Sequence, residues 1–184
     1  SFRQSGIVPQ SPATVINSRI GDCKDVSTLF VAMCKQEGID AELVLVKTRD
    51  NGQNTLLLPS IDFNHCIAKT NVNGVETYIE LTSNILPFSS FSNHDLGAAI
   101  LPISKNSNQL IKLQPKNRVQ NRISYHTKVA IKEANMYITE TNFCTGSMAS
   151  LLRSTYKDLS AKDQLKKMKE EISGRFPDNE AISL

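Results

Sequence analysis

A capped helix near the start of the chain constrains the fold more than any other feature. Asp22 is a good helix N-cap, and Asp25 lies three residues later in a capping-box arrangement. Apolar residues then recur at the spacing of one helix face, at Val26, Leu29, Phe30, Met33 and Cys34. Gly38 follows as a C-terminal cap residue. The pattern predicts a helix over residues 22–37, with Cys23 as its first helical residue.

The predicted position of Cys23 suits a nucleophile. Unpaired N–H groups and the macrodipole at a helix N-terminus both favour a thiolate. A structural role is the alternative, because a single cysteine is more often a small buried apolar residue. Cys34 fits that role by its place on the apolar stripe, and Cys66 and Cys144 fit it by their strand-like surroundings. Local context leaves both roles open for Cys23, so its partners must decide.

A predicted hairpin supplies a histidine and a carboxylate. Asn73-Gly74 is a strong turn signal between two strand patterns within residues 63–82. His65 lies in the first strand and Glu80 in the second, and a small register shift brings them side by side. A carboxylate in that position orients an imidazole and stabilises its charged form. The sequence therefore predicts a Cys-His-acid order of Cys23, His65 and Glu80.

Several separated motifs, in this order, resemble the bacterial transglutaminase-like domain. They are Arg19-Ile20-Gly21-Asp22-Cys23-Lys24-Asp25, Gly38-Ile39-Asp40-Ala41 before a strand, Leu58-Pro59-Ser60 and Phe63-Asn64-His65. The resemblance runs from about residue 6 to about residue 102. The chain resembles in particular the large envelope-associated proteins in which this domain lies between domains of unknown function. By this resemblance the family's nucleophile corresponds to Cys23, its histidine to His65 and its acid, usually aspartate, to Glu80.

The resemblance implies an α+β fold, a papain-like transglutaminase core in which the nucleophile helix packs on an antiparallel sheet. It also implies cysteine-dependent acyl transfer or hydrolysis at amide bonds of a peptide or protein, through a thioester and without a cofactor. Protease, amidase and transglutaminase activities all remain open. The alternative is a catalytically inert module that binds peptide or glycopeptide, or a structural module of an envelope protein. The resemblance places the parent protein in the periplasm or cell envelope.

The supporting groups of such a site are less sharply indicated. The Cys23 backbone N–H at the helix start can donate to an oxyanion. Asn17 and Ser18 precede Cys23 by six and five residues, and either is a candidate for a second donor. Asp22 supports the site by capping the helix.

Composition excludes several other classes. The chain has 184 residues and a net charge of +3, and its basic residues accompany no aromatic-rich motif, so nucleic-acid binding is not expected. Its four cysteines form no CxxC pair, so a structural metal site is not expected either. The apolar runs are too short to span a bilayer. Composition leaves the oligomeric state open.

The pattern along the chain predicts two units, a core over residues 1–115 and a small α+β domain over residues 116–184. A loop over residues 83–107 and a polar linker over residues 112–121 precede the second unit. Strands at 123–131 and 136–143 and helices after Gly146 and Ser160 build that unit. We expect it to contribute no catalytic group and to form its own core, from Val129, Ile131, Ile138, Leu152 and Leu165. Residues 182–184 resemble the start of a further strand, so we expect this unit to be truncated.

Overall fold

The computed structural model describes residues 7–52, 62–88, 90–104, 109–114 and 121–176. The chain folds as an α+β protein, as expected. Its helices are α1 (Pro12–Ser18), α2 (Cys23–Gln36), α3 (Gly146–Tyr156) and α4 (Ala161–Arg175). Its strands are β1 (Asp40–Lys47), β2 (His65–Val72), β3 (Val75–Ile79), β4 (Ala99–Pro102), β5 (Ile111–Lys112), β6 (Ile123–Lys132) and β7 (Asn135–Cys144).

The start of α2 is fixed by a reciprocal capping box. The Asp22 carboxylate accepts from the backbone N–H groups of Lys24 and Asp25, at 3.1 and 3.3 Å. The Asp25 carboxylate accepts in return from the Asp22 N–H at 3.1 Å. At the other end, Gly38 has a φ of 71°, a left-handed conformation in which glycine carries no steric cost. The predicted helix and both of its boundaries are confirmed.

Asp25 also ties the segment before α1 to the start of α2. Its side chain is almost fully buried and accepts from the backbone N–H and from the side-chain amide of Gln10, both at 2.7 Å. Burial opposes ionisation, but these two bonds and the Asp22 N–H outweigh it and lower the pKa of Asp25. Gly21 leaves room for this arrangement, because a Cβ there would lie 2.9 Å from the Asp25 Cβ.

A five-stranded antiparallel sheet, in the order β3-β2-β1-β4-β5, forms the centre of the N-terminal part. One face packs against α2, with Val31 and Cys34 of the helix on Ala41 and Ala68 of the sheet. The other face carries a second apolar cluster, formed by Val44, Val46, Ile67, Phe91, Ala98, Ile100 and Leu113. Because side chains alternate between faces along a strand, successive residues of β2 serve the two clusters in turn.

The predicted hairpin is present. β2 and β3 pair from Ala68 opposite Ile79 to Val72 opposite Val75. Asn73 and Gly74 both have positive φ, 52° and 80°, as a two-residue hairpin turn requires.

The expected loop over residues 83–107 and the start of the expected linker are wrong in part. β4 lies within the first segment and pairs with β1, with Ile100 fully buried. Lys112 belongs to β5, and the next residue, Leu113, is buried in the second cluster. Both strands are too short to produce a clear alternation pattern, and polar Ser and Asn residues flank β4. Pro115 of the expected linker lies outside the described residues.

The C-terminal elements form where they are expected, but their expected core does not. β6 and β7 pair only with each other, and the ribbon lacks a covering layer among the described residues. The five apolar side chains assigned to that core are between 38% and 78% exposed, namely Val129, Ile131, Ile138, Leu152 and Leu165. Residues 182–184 lie outside the described part of the chain.

The helix α3 is held by contacts with the N-terminal part of the chain, which contains the five-stranded sheet and is called the sheet unit below. The Ser147 hydroxyl bonds the Asn93 side-chain oxygen at 2.9 Å, and the Ser150 hydroxyl donates to the Ile85 carbonyl at 3.0 Å. Ser147 and Ser150 are both buried by this contact, as is Ala149 between them. The helix α3 therefore packs against the loops that follow the hairpin.

A membrane-spanning helix needs about 20 largely apolar residues. The longest helix in the described ranges, α4, has 15 residues and is rich in lysine. Within those ranges, none of the helices meets the requirement of length and apolarity.

We expect Asp25→Ala to lower the free energy of unfolding by about 2–3 kcal/mol, because it leaves buried N–H donors of Gln10 and Asp22 without their acceptor. Chemical denaturation followed by circular dichroism measures this change. Asp158→Ala is the control, since that carboxylate is exposed and should alter stability by less than about 0.5 kcal/mol. Equal effects of the two substitutions would contradict a special role for Asp25.

Candidate active site

Cys23 is the first residue of α2 and is half-buried. Burial alone would raise the pKa of its thiol. The hydrogen bond and positive charge of His65, together with the backbone N–H of Cys66, outweigh burial and lower that pKa from its ordinary value. The helix start therefore holds a thiol that ionises more readily than a free cysteine.

His65 is the first residue of β2 and lies opposite Val46 of β1. The start of β2 runs beside the start of α2, because the Ser27 hydroxyl of the helix donates to the Cys66 carbonyl at 3.2 Å. Burial lowers the pKa of His65, but the hydrogen bonds with Cys23 and Glu80 and the charges of Glu80 and Asp95 raise it to about 10. The imidazole is thus held in its protonated form at neutral pH.

Glu80 directly follows β3, and its carboxylate is almost fully buried. Its Oε2 lies 2.6 Å from Nε2 of His65, and its Oε1 accepts from the Thr82 backbone N–H, also at 2.6 Å. Burial would raise the Glu80 pKa, but the bond and charge of His65 and the bonds from Thr82 lower it. Glu80 is therefore an ionised group whose orientation is fixed at both oxygens.

These contacts assign the two ring nitrogens of His65. Nε2 faces Glu80, which leaves Nδ1 for the Cys23 thiol. The structure thus brings together the three residues that the sequence grouped as Cys23, His65 and Glu80. The arrangement can stabilise a thiolate and an imidazolium side by side.

Two of the three supporting residues cap helix ends. The Ser18 hydroxyl donates to the Thr14 carbonyl at 2.8 Å and accepts from the Ile20 N–H at 3.2 Å, so it caps the end of α1. Asn17 is exposed on α1. Asp22 caps α2 and pairs with the Lys24 ammonium. In the described contacts, neither Asn17 nor Ser18 meets Cys23.

Asp95 also lies beside His65 and Glu80, although the sequence analysis predicted no role for it. It is buried, and one of its oxygens lies within 4.8 Å of both a His65 ring nitrogen and a Glu80 oxygen. Burial raises its pKa. The Ser92 hydroxyl, 2.7 Å away, and the charge of His65 lower that pKa, but they do not overcome burial and the charge of Glu80. The only local signal was a Ser-x-x-Asp turn before an apolar run.

His65, Glu80 and Asp95 could each present one ligand atom to a cation. In this structure the same atoms bond within the protein, since His65 and Glu80 pair with each other and Ser92 donates to Asp95. The cluster is therefore a network of hydrogen bonds and charges.

The other cysteines differ from Cys23 in their surroundings. Cys34 and Cys66 are buried, and burial raises the pKa of each thiol, to about 11 for Cys66. The thiol pKa is thus lowered at Cys23 and raised at Cys34 and Cys66. The sequence alone left the role of Cys23 open.

Comparison with known proteins gives a match to a protein-family model. Residues 3–85 match the family model of the transglutaminase-like superfamily, a segment that contains Cys23, His65 and Glu80. Neither the curated proteins nor the solved structures include a significant match to the chain. The family-model match supports a transglutaminase-like domain over residues 3–85 of the chain.

Proposed function

We propose that this domain catalyses acyl transfer or hydrolysis at amide bonds through a Cys23 thioester. The observation that carries the proposal is the pairing of a thiol whose pKa is lowered with an imidazole whose pKa is raised to about 10. When the thiol has ionised and the imidazole is still protonated, the pair exists as a thiolate and an imidazolium, the reactive form of a cysteine nucleophile. The match of residues 3–85 to the transglutaminase-like superfamily model is consistent with cysteine-based chemistry.

In the proposed reaction the Cys23 thiolate attacks the carbonyl carbon of a substrate amide, and the carbonyl electrons move onto oxygen. The Cys23 backbone N–H, at a helix end where such groups lack intrahelical partners, donates to that oxyanion. His65 gives its Nδ1 proton to the leaving nitrogen, the C–N bond breaks, and a thioester remains. Water or a second amine, deprotonated by His65, then attacks the thioester and releases Cys23 as its thiolate.

Glu80 acts in this scheme through His65. Its carboxylate accepts from Nε2 at 2.6 Å, which fixes the ring orientation and stabilises the imidazolium. The longer glutamate side chain is accommodated because Thr82 holds the second oxygen. We therefore assign glutamate the part that aspartate plays in the resemblance described above.

We further propose that residues 116–184 supply no catalytic group. Their described contacts with the sheet unit reach Asn93 and Ile85, on loops beside the cluster, and not Cys23, His65 or Glu80. This part would then act by supporting those loops.

We expect Cys23 to react with iodoacetamide at pH 6–7, below the range in which a free thiol of pKa about 8.5 becomes nucleophilic. The reason is that the thiolate is already formed beside the imidazolium. Alkylation rates measured from pH 5 to 10, with the modified residue identified by mass spectrometry, test this expectation. Cys34 and Cys66 should remain unmodified in the folded protein because they are buried.

His65→Asn is the variant that isolates the electrostatic cause. It should move the onset of Cys23 alkylation upward, toward the free-thiol range, without unfolding the chain. Wild-type protein that reacts only above about pH 8.5 would contradict the ion pair and favour the inert or structural alternative.

We expect Glu80→Gln to reduce turnover about 100-fold or more, because a neutral amide neither fixes nor stabilises the imidazolium. Hydrolysis of a panel of chromogenic glutamine and peptide amides, with Cys23→Ala as the zero-activity reference, measures the loss. Glu76→Gln is the matched control, since Glu76 lies in β3, the strand that Glu80 follows, and pairs with Lys69 on the surface.

Three outcomes of that assay are informative. Full activity of Glu80→Gln would remove Glu80 from the mechanism. Partial activity of Glu80→Asp would show that the charge matters more than the side-chain length. No turnover by the wild-type protein on any amide, despite a reactive Cys23, would indicate a binding module.

A further inference from the structure

We propose that Asp95 is a second positioning acid of the site, one that stabilises the His65 imidazolium together with Glu80. The inference rests on the proposed function of the cluster and adds to it a residue from a different element. In the described hydrogen bonds Asp95 contacts Ser92 and Ala98 and not Cys23, so its effect in this scheme passes through His65.

The position of Asp95 is fixed by its own segment. Its carboxylate accepts from the Ser92 hydroxyl at 2.7 Å, its backbone N–H donates to that hydroxyl at 3.3 Å, and its carbonyl accepts from the Ala98 N–H at 2.9 Å. Phe91 and Ala98, at the two ends of this segment, are buried in the apolar cluster on the sheet. The turn is therefore anchored on both sides, and its carboxylate is aimed at the end of the sheet where β2 begins.

That face of the sheet is also the face of His65. His65 and Ile67 are two residues apart in β2, so their side chains lie on the same face of the sheet. Glu80 reaches that face from the end of β3. The ligand atoms of His65, Glu80 and Asp95 all lie within 4.8 Å of one another. Two carboxylates from different segments thus lie near the imidazole, and Glu80 is the one that bonds Nε2.

The charges around His65 indicate what the Asp95 carboxylate does. The groups that face His65 are Cys23 from α2, with Asp22 and Lys24 beside it, then Glu80 after β3 and Asp95 before β4. Lys24 is paired with Asp22, so the imidazolium is the positive charge on which the thiolate and the carboxylates converge. A buried Asp95 in its ionised form favours that positive charge, and a protonated Asp95 withdraws the support.

Asp95→Asn tests the proposal, because it removes the charge and preserves the shape of the side chain and a hydrogen-bond acceptor for Ser92. Nitrogen-15 NMR of the imidazole, recorded on the full chain from pH 5 to 11, gives the titration midpoint of His65. We expect the midpoint to fall by about one pH unit, as loss of one nearby opposite charge implies. An unchanged midpoint in a folded variant would overturn the proposal.

The chain offers a closely matched control. Asp163 repeats the same Ser-x-x-Asp motif, with the Ser160 hydroxyl 2.6 Å from its carboxylate and its own N–H 3.2 Å from that hydroxyl, but it lies exposed at the start of α4. Asp163→Asn should leave the His65 midpoint in place. A similar fall in both variants would mean that the effect is not local, which would also overturn the proposal.

The NMR measurement does not require turnover, so it separates this proposal from the proposed function. If Cys23 proves inert and Asp95→Asn still lowers the midpoint, the positioning role stands and the reaction fails. Where turnover is detected, Asp95→Asn should move the alkaline limb of kcat to lower pH by a similar amount and leave KM unchanged. A change in KM alone would assign Asp95 to substrate binding and overturn the positioning role.

If Asp95→Asn does not fold, the wild-type protein carries the test. Carbon-13 NMR of the side-chain carboxyl should show Asp95 ionising above its ordinary range, and the His65 ring signals should respond at the same pH. A His65 ring that is insensitive to that step would contradict the coupling.

Discussion

The buried carboxylate of Asp25 is the interaction on which the rest of the site depends. It closes the capping box of α2 and bonds the backbone and side chain of Gln10, so one ionised group joins two segments of chain at the helix start. A buried charge is tolerated because N–H donors surround it. Cys23 lies two residues before it, so the same capping box fixes the backbone that carries the thiol. The chemistry of the site is therefore built on a local hydrogen-bond pattern.

Local patterns were also what the sequence revealed best. The capping residues around Cys23 and the Asn73-Gly74 turn act within a few positions, so their effects were readable without the fold. The pairing of His65 with Glu80 followed from the hairpin register, a constraint that a single turn imposes on residues 15 apart. Helix, hairpin and the grouping of three side chains were consequently all predictable.

What escaped the sequence depends on contacts between distant segments. β4 pairs with β1, and Leu113 is buried against the sheet. Neither segment is long enough to show an alternating apolar pattern in the sequence. Asp95 reaches the cluster only because the turn before β4 folds over the sheet face. The exposed ribbon of β6 and β7 is the reverse case, since its apolar alternation predicted a core for which the described chain provides no covering layer. Periodicity identifies a strand but not what covers it.

The contact between α3 and Asn93 has a mechanical consequence. Asn93 is bonded by Ser147 and Met148 from α3 and by the Arg49 guanidinium from the sheet unit, and it precedes Asp95 by only two residues. Asn93 therefore links α3 to the segment that carries Asp95, a carboxylate near the His65 ring. A displacement of α3 would act first on the segment that holds Asp95, before any other part of the cluster around His65.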